Sequence, residues 1–196
     1  MEKQFDLYHA TERSKALKII ETQNFIVKDD VDNNLYLGTG AYFYFNKMEA
    51  VDWNSRNVKK NNGKSKLFPS YIELMNRYTI ISTTCNVEEG HILDLDTRDA
   101  LIKYKLMVNK LKNFVEPYIL YKDKHELATI LNFLYKYHLL DNIFLVIRTF
   151  SYPIDKRLGM SLPKRIVCVK KIDILSNYRE IKMTRDEYKD LKLLFE

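Results

Sequence analysis

The sequence has only two cysteines, Cys85 and Cys168, among its 196 residues. Both lie in apolar runs typical of strands, and neither belongs to a closely spaced pair of the kind that binds zinc. We therefore expect two buried free thiols, a reducing compartment and no metal cofactor.

The chain also lacks any run of about 18 uncharged apolar residues, the length that a membrane-spanning helix requires. Its first residues, 1–6, are polar and do not form the apolar segment of a signal peptide. These two absences predict a cytoplasmic protein without a membrane partner.

Glycine and proline are scarce, with five and four residues, whereas lysine, asparagine, isoleucine and tyrosine are abundant. This composition is expected from an AT-rich genome, so the formal charge of +6 permits nucleic-acid binding without indicating it. The balance of 46% hydrophobic and 30% charged residues is that of a folded globular protein. Neither an internal repeat nor a sustained heptad is present, and the length suits one core, so we expect a single domain spanning 1–196.

Strand and helix patterns intermingle along the chain without the strict alternation of a parallel sheet. This favours an α+β fold with a mostly antiparallel sheet, and a doubly wound fold is the weaker alternative. Strands are predicted within 5–9, 35–45, 78–87, 91–96, 143–149, 165–170 and 172–175, and helices begin near Thr11, Asn46, Pro69 and Thr184. Two pairs have the spacing of a capping box, namely Asn46 with Glu49 and Thr184 with Glu187.

Residues 97–140 interrupt this pattern with two helical faces. The first face is formed by Leu101, Tyr104, Met107, Val108, Leu111 and Val115, and the second by Leu127, Ile130, Leu131, Leu134 and Tyr137. Pro117 separates the two faces, and Asp123 with Glu126 has the spacing of a cap for the second helix. We therefore expect a helical αα insertion at about 97–140.

Two motifs stand out near the N-terminus: Leu7–Thr11 (LYHAT), which ends a predicted strand, and Leu37–Phe43 (LGTGAYF), which feeds one. A histidine beside a threonine, followed by a glycine-flexed loop and aromatic residues, can form the floor and wall of a site for a planar ligand. A core histidine beside a buried aromatic strand would leave the same pattern. The residues by themselves leave both interpretations open.

The segment from Leu7 to Trp53 resembles the poly-ADP-ribose polymerase and diphtheria-toxin branch of the ADP-ribosyltransferases. That family has a His-Gly-Thr/Ser strand end, then a Gly-x-Gly-Ile-Tyr-Phe strand and then a helix. The resemblance implies an ADP-ribosyltransferase-like split antiparallel sheet with flanking helices, and NAD as the substrate that provides ADP-ribose.

Carried onto this sequence, the family's roles fall on His9, Ala10, Thr11, Tyr42 and Trp53. The resemblance implies that His9 hydrogen-bonds a ribose of NAD, with Thr11 beside it, and that the Ala10 backbone holds the nicotinamide carboxamide. Tyr42 and Trp53 would sandwich the nicotinamide, whose positive charge an aromatic face attracts. We therefore expect His9, Tyr42 and Trp53 to line one concave pocket, with the two aromatic rings facing each other.

Three positions depart from the family's pattern. Ala10 replaces a glycine, Ala50 replaces a residue such as serine that supports the carboxamide, and Lys164 occupies the position of the catalytic glutamate, before Ile-Val. A lysine there would oppose the ribosyl cation that forms as nicotinamide leaves, which predicts that Lys164→Glu raises NAD cleavage. The candidate replacements for the glutamate are Glu126, Asp155 and Asp173.

The resemblance implies a mono-ADP-ribosyltransferase of the toxin or phage-conflict type, which modifies a protein or a nucleic acid and could be inhibited by an antitoxin-like partner. Two alternatives stay open. A catalytically inactive chain would bind NAD or ADP-ribose without turnover, in keeping with Lys164. A nucleic-acid-binding protein would use the basic residues of one loop, namely Lys59, Lys60, Lys64 and Lys66.

Overall fold

The computed structural model of the chain describes residues 1–25, 27, 36–53, 70–116, 126–155 and 160–195. Within them lie seven strands and six helices, which confirms the predicted α+β class. The strands are β1 (Glu2–Glu12), β2 (Ala41–Tyr44), β3 (Tyr78–Glu88), β4 (Ile92–Asp94), β5 (Leu145–Asp155), β6 (Met160–Val169) and β7 (Leu175–Ile181). The helices are α1 (Arg13–Thr22), α2 (47–53), α3 (Tyr71–Arg77), α4 (Arg98–Leu111), α5 (Glu126–Lys136) and α6 (Arg185–Phe195). None of these described helices has the length and apolar character needed to cross a membrane.

All seven strands belong to one sheet, in the order β4-β5-β6-β2-β1-β3-β7. Neighbours run antiparallel except β4 and β5, which are parallel. A parallel pair needs a crossover connection, and α4 and α5 lie between these two strands in the chain. Both helices expected at about 97–140 are therefore present, whereas Pro117 and Asp123 lie outside the described residues.

The sheet separates two hydrophobic cores, because successive side chains of a strand point to opposite faces. On β1, Leu7 packs on one face, and Tyr8 and Ala10 pack on the other. The five-helix core contains residues of α2 to α6, namely Ala50, Val51, Leu74, Val108, Leu111, Ile130, Leu131, Leu134 and Leu191. The single-helix core, on the opposite face, contains Ala16 of α1 together with Phe25 and Phe43. The position of a residue along its strand thus decides which core it enters.

The two halves of the sheet meet at the junction of β1 and β2, where the backbone pairing is short. β1 pairs with β3 along its whole length of 11 residues, whereas its register with β2 is the single pair Tyr8 and Tyr44. The sheet therefore divides into β4-β5-β6-β2 and β1-β3-β7. The two parts remain joined in one sheet, and the split sheet that the resemblance implies stays a prediction.

Two local predictions near the C-terminus have different outcomes. The capping box before α6 is confirmed, since the Thr184 N–H donates to the Glu187 carboxylate (2.7 Å) and the Glu187 N–H donates to the Thr184 hydroxyl (3.2 Å). The strand predicted at 172–175 is wrong for most of its length. Residues Ile172–Ile174 form a 3-10 turn, and the strand begins at Leu175.

The glycine loop that feeds β2 has a backbone that requires its glycines. Gly38 has a φ of 75° and Gly40 a φ of 156°, values that side chains with a Cβ rarely adopt. The Tyr42 hydroxyl holds the loop, because it donates to the Gly38 carbonyl (2.6 Å) and accepts the Leu37 N–H (2.8 Å).

Two further side chains hold the same loop. The Lys170 ammonium donates to the carbonyls of Leu37 (2.9 Å) and Thr39, and lies 4.8 Å from the centre of the Tyr135 ring. The Asn132 side-chain oxygen accepts the Thr39 N–H at 2.7 Å. Burial removes water from the Lys170 ammonium and lowers its pKa. The carbonyl and aromatic contacts take the place of that water. The loop is fixed from β2, from α5 and from the residue after β6.

Replacing either loop glycine by alanine should destabilise the fold. A Cβ at Gly38 would lie 2.3 Å from Asn132 Oδ1, and one at Gly40 would lie 2.5 Å from Cys168 Sγ. Because of these close contacts and the unfavourable φ values, we expect each substitution to lower the free energy of unfolding by about 2–4 kcal/mol in urea denaturation. Gly90→Ala is the matched control, because a Cβ there meets nothing within 4 Å and should change stability by less than about 0.5 kcal/mol. A loop variant as stable as Gly90→Ala would contradict this geometry.

Candidate functional site

The His9 side chain bridges the junction of β1 and β2. Its Nδ1 lies 2.7 Å from the Tyr42 carbonyl oxygen, and because a carbonyl only accepts, Nδ1 carries the proton. The ring packs edge-on against Phe25, with centroids 4.8 Å apart, and lies 5.5 Å from Phe43. Burial lowers the pKa of His9 to about 4, against the smaller opposing effect of the Tyr42 carbonyl. His9 is therefore neutral at pH 7, and its Nε2 is left as an acceptor.

The Tyr42 ring lies on the other face of the sheet and packs against the five-helix core. Burial raises the pKa of Tyr42, so its hydroxyl stays protonated and keeps its bonds to the glycine loop. His9 and Tyr42 are separated because Tyr8 pairs with Tyr44, which places His9 on the same face as Phe43. The expectation that the His9 and Tyr42 side chains line one pocket is wrong, and what joins them is the Tyr42 backbone carbonyl.

The other residues expected around NAD are also spread out. Ala10, at 3% exposure, packs in the five-helix core, and Thr11 is half-buried opposite Thr79 of β3. Trp53 ends the described part of α2 and is 40% exposed, and its predicted stacking opposite Tyr42 stays a prediction. Ala50 is fully buried in the five-helix core and contributes packing.

Lys164, which the resemblance would align with the family's glutamate, is buried and has its charge balanced by an ion pair. Its side chain lies on β6 at 2% exposure, forms an ion pair with Asp52 of α2, and lies 5.0 Å from the Tyr152 ring centre. Burial lowers the pKa of Lys164 to about 8, and the neighbouring Glu49 carboxylate acts in the opposite direction. The ammonium is thus mostly protonated at pH 7, and carboxylates from α2 balance its charge.

Glu49 is the acidic residue that the sequence interpretation missed. The predicted capping box is only half formed, since the Asn46 side chain accepts the Met48 N–H (2.8 Å) but Glu49 does not reach back. Its carboxylate turns to β6, where it accepts the Arg165 N–H, and its Oε2 is buried without a hydrogen-bond partner. Burial raises the pKa of Glu49, while the Lys164 charge and the Arg165 N–H lower it.

The arrangement of α2 brings two carboxylates to β6 beside Lys164. Glu49 and Asp52 are three residues apart, so they share one face of the helix and meet β6 together. This spacing is the sequence signal that could have identified the pair. The Arg165 guanidinium, one residue along β6, forms an ion pair with Asp94 and lies 4.9 Å from the Phe45 ring centre, which ties the end of β4 to this region.

Two of the three carboxylates proposed from the sequence are exposed on other elements. Glu126 is exposed at the start of α5, and Asp173 is exposed in the turn before β7. The Asp155 side chain and the basic loop with Lys59 lie outside the described residues, as do the other lysines of that loop, namely Lys60, Lys64 and Lys66.

Comparison with known proteins adds little on function. No protein-family model matches the chain. It is 30% identical over 118 residues to an uncharacterized protein of Methanocaldococcus jannaschii, a match that covers 60% of this chain and 48% of that protein. The matched region thus spans about half the length of this curated relative. Within the described part of the chain, no three His, Cys, Asp or Glu side chains are grouped so that they could hold a metal ion.

Protonation of His9 should destabilise the fold at low pH. Its pKa is about 4 when folded and about 6.5 when unfolded, so the unfolded state binds the proton first. The part of the folding stability that depends on a neutral His9 is therefore fully present above pH 6.5, and it is lost as the pH falls towards 4. We expect wild type to lose up to about 3 kcal/mol relative to His9→Gln across this window, measured by denaturation at several pH values. If the free energies of unfolding of the two proteins change with pH in the same way, His9 is accessible to protons in the folded state.

Substitution of Lys164 should act first on stability. Lys164→Glu adds a third carboxylate beside Asp52 and Glu49, and Lys164→Met removes the charge that neutralises them. We expect each to lower the free energy of unfolding by about 3–5 kcal/mol, so Lys164→Glu would not yield a more active protein. The control is Lys189→Met, which removes an exposed ion pair with Asp186 and should cost less than about 1 kcal/mol. Equal stability of the Lys164 and Lys189 variants would refute the buried pair.

Proposed function

We propose that this chain is a mono-ADP-ribosyltransferase that binds NAD at the junction of β1 and β2 and transfers ADP-ribose to a macromolecule. The observation that carries the proposal is the Glu49 carboxylate. It is held against β6 beside Lys164, with one oxygen buried and without a partner. A carboxylate at this strand position is what the family's chemistry needs, and here α2 provides it instead of β6.

The junction of β1 and β2 supports the same assignment. Backbone pairing there is limited to one residue pair, so the strands beside it are not closed into a continuous ladder. His9 donates through Nδ1 to the Tyr42 carbonyl and so holds the two halves of the sheet together from the face opposite Glu49. The glycine loop, held by Tyr42 and Lys170, gives this region a fixed wall.

The reaction would be a displacement at the anomeric carbon of the nicotinamide ribose. The bond from this carbon to the nicotinamide nitrogen breaks, and nicotinamide leaves with the electron pair. An oxygen or nitrogen of the acceptor then bonds to the same carbon and loses its proton to solvent. Glu49 would accept a hydrogen bond from the ribose 2′-hydroxyl and stabilise the positive charge on the ribose. Burial raises the pKa of Glu49, and Lys164 and the Arg165 N–H oppose this rise and so favour the ionised form that this role needs.

A second candidate function is binding of NAD or ADP-ribose without turnover. The ion pair between Lys164 and Asp52 favours it, because a buried cation beside the reacting ribose would oppose the developing charge. The two candidates share one ligand and differ in whether the glycosidic bond breaks.

Labelled NAD separates these functions. We expect that wild type, incubated with NAD labelled in its ADP-ribose part and with cell extract, transfers label to protein or nucleic acid. Glu49→Gln should slow this transfer by about ten- to a thousandfold, because it removes a charge needed only as the ribosyl cation forms. NAD should still raise the melting temperature of Glu49→Gln, since binding to the folded state persists.

Asp99→Asn on α4 is the matched control, because Asp99 is an exposed carboxylate remote from β6, and it should transfer label at the wild-type rate. A rise in melting temperature with neither label transfer nor nicotinamide release would establish the binding function instead. If NAD does not raise the melting temperature and no label is transferred from it, both candidate functions are refuted.

A further inference from the structure

A polar cavity of about 300 Å³ lies on the sheet at the side of β1 away from β2. Three adjacent strands line it with Asp6, Tyr8, Ser82, Thr84 and Arg179. These residues are in register, since Tyr8 is opposite Ser82, Asp6 is opposite Thr84, and Ser82 is opposite Arg179. Tyr8 packs towards the five-helix core, so the cavity opens on that face. It is therefore separate from the His9 ring, which lies on the other face.

The floor of the cavity carries the hydroxyl groups of Ser82 and Thr84, neither of which makes a hydrogen bond to another described residue. The two residues are only 9% and 8% exposed, but their hydroxyl oxygens keep contact with the solvent in the cavity. The neighbouring Thr83 hydroxyl, on the opposite face, donates to the Ser176 carbonyl at 2.7 Å. Ser82 and Thr84 are thus available to a ligand.

The rim carries opposite charges that do not meet. Asp6 and Arg179 line the same cavity, but no ion pair within 4 Å joins either of them to another described residue. Glu180, which also lines the cavity, is bonded instead to the Thr79 hydroxyl (3.0 Å) and lies 3.9 Å from Arg13. The cavity thus presents one guanidinium and one carboxylate, with space between them.

We propose that this cavity binds a ribonucleotide 5′-phosphate. Arg179 contacts the phosphate, because a guanidinium fork matches phosphate oxygens. Asp6 accepts hydrogen bonds from the ribose hydroxyls, Ser82 and Thr84 bond to the sugar or base edge, and the Tyr8 ring stacks on the base. A cavity of this volume is at the lower end of the range for small-molecule sites and suits a nucleoside monophosphate. The site is independent of the proposed NAD reaction.

Titration calorimetry with uridine 5′-monophosphate tests the proposal, with uridine and inorganic phosphate as the partial ligands. We expect saturable binding of the nucleotide to wild type, and weakening by at least about tenfold in Arg179→Gln and about threefold in Ser82→Ala. Arg98→Gln, at an exposed arginine of α4, is the control and should bind as wild type does. Affinity should be unchanged in Glu49→Gln and in saturating NAD, which separates this site from the NAD site.

Failure of Arg179→Gln to weaken binding would overturn the proposal, as would phosphate binding as tightly as the nucleotide or competition by NAD.

A free nucleotide and the 5′ end of an RNA present the same 5′-phosphate and ribose to the cavity. A 5′-phosphorylated uridine dinucleotide distinguishes these sources. Much tighter binding than the monophosphate would favour an RNA end, and equal binding would favour a free nucleotide.

Discussion

The hydrogen bond between the His9 imidazole and the Tyr42 carbonyl joins two halves of a sheet that share one backbone pair. A side chain replaces ladder bonds at this point, and it can do so because the protonated Nδ1 donates to the carbonyl. Three strands on one side and four on the other are then free to curve apart. The proposed NAD site depends on this division, since a continuous ladder between β1 and β2 would leave no backbone groups for a ligand.

Two buried lysines stabilise the region around this junction in different ways. Lys170 donates to the carbonyls of Leu37 and Thr39, so its charge is dispersed over backbone dipoles and one aromatic ring. Lys164 is balanced by carboxylates of α2. The first fixes a loop, and the second fixes a helix against the sheet. In both cases burial makes the ammonium costly without its partners, which is why each contact is specific.

The buried charges also bear on function. In the proposed function Lys164 is not a simple loss of the glutamate, because Glu49 and Asp52 face it from α2. One ammonium thus faces two carboxyl groups in a partly dry environment, where burial raises the pKa of Glu49. Glu49 Oε2 has no hydrogen-bond partner among the described residues, and such an orphaned oxygen is the kind of group that a substrate hydroxyl can satisfy.

Local sequence signals determined the helix ends, the glycine loop and the α+β class, because capping, φ preference and side-chain periodicity act over a few residues. Thr184 with Glu187 is the clearest example, and Gly38 with Gly40 is another. Only the tertiary structure decided which face His9 and Tyr42 occupy. That choice depends on the register of Tyr8 with Tyr44, and a shift of one residue would exchange the faces. The sequence also did not reveal the partners of Lys164, because Glu49 and Asp52 lie more than a hundred residues before it. They meet Lys164 only when α2 packs on β6, and burial there makes an unbalanced charge unfavourable.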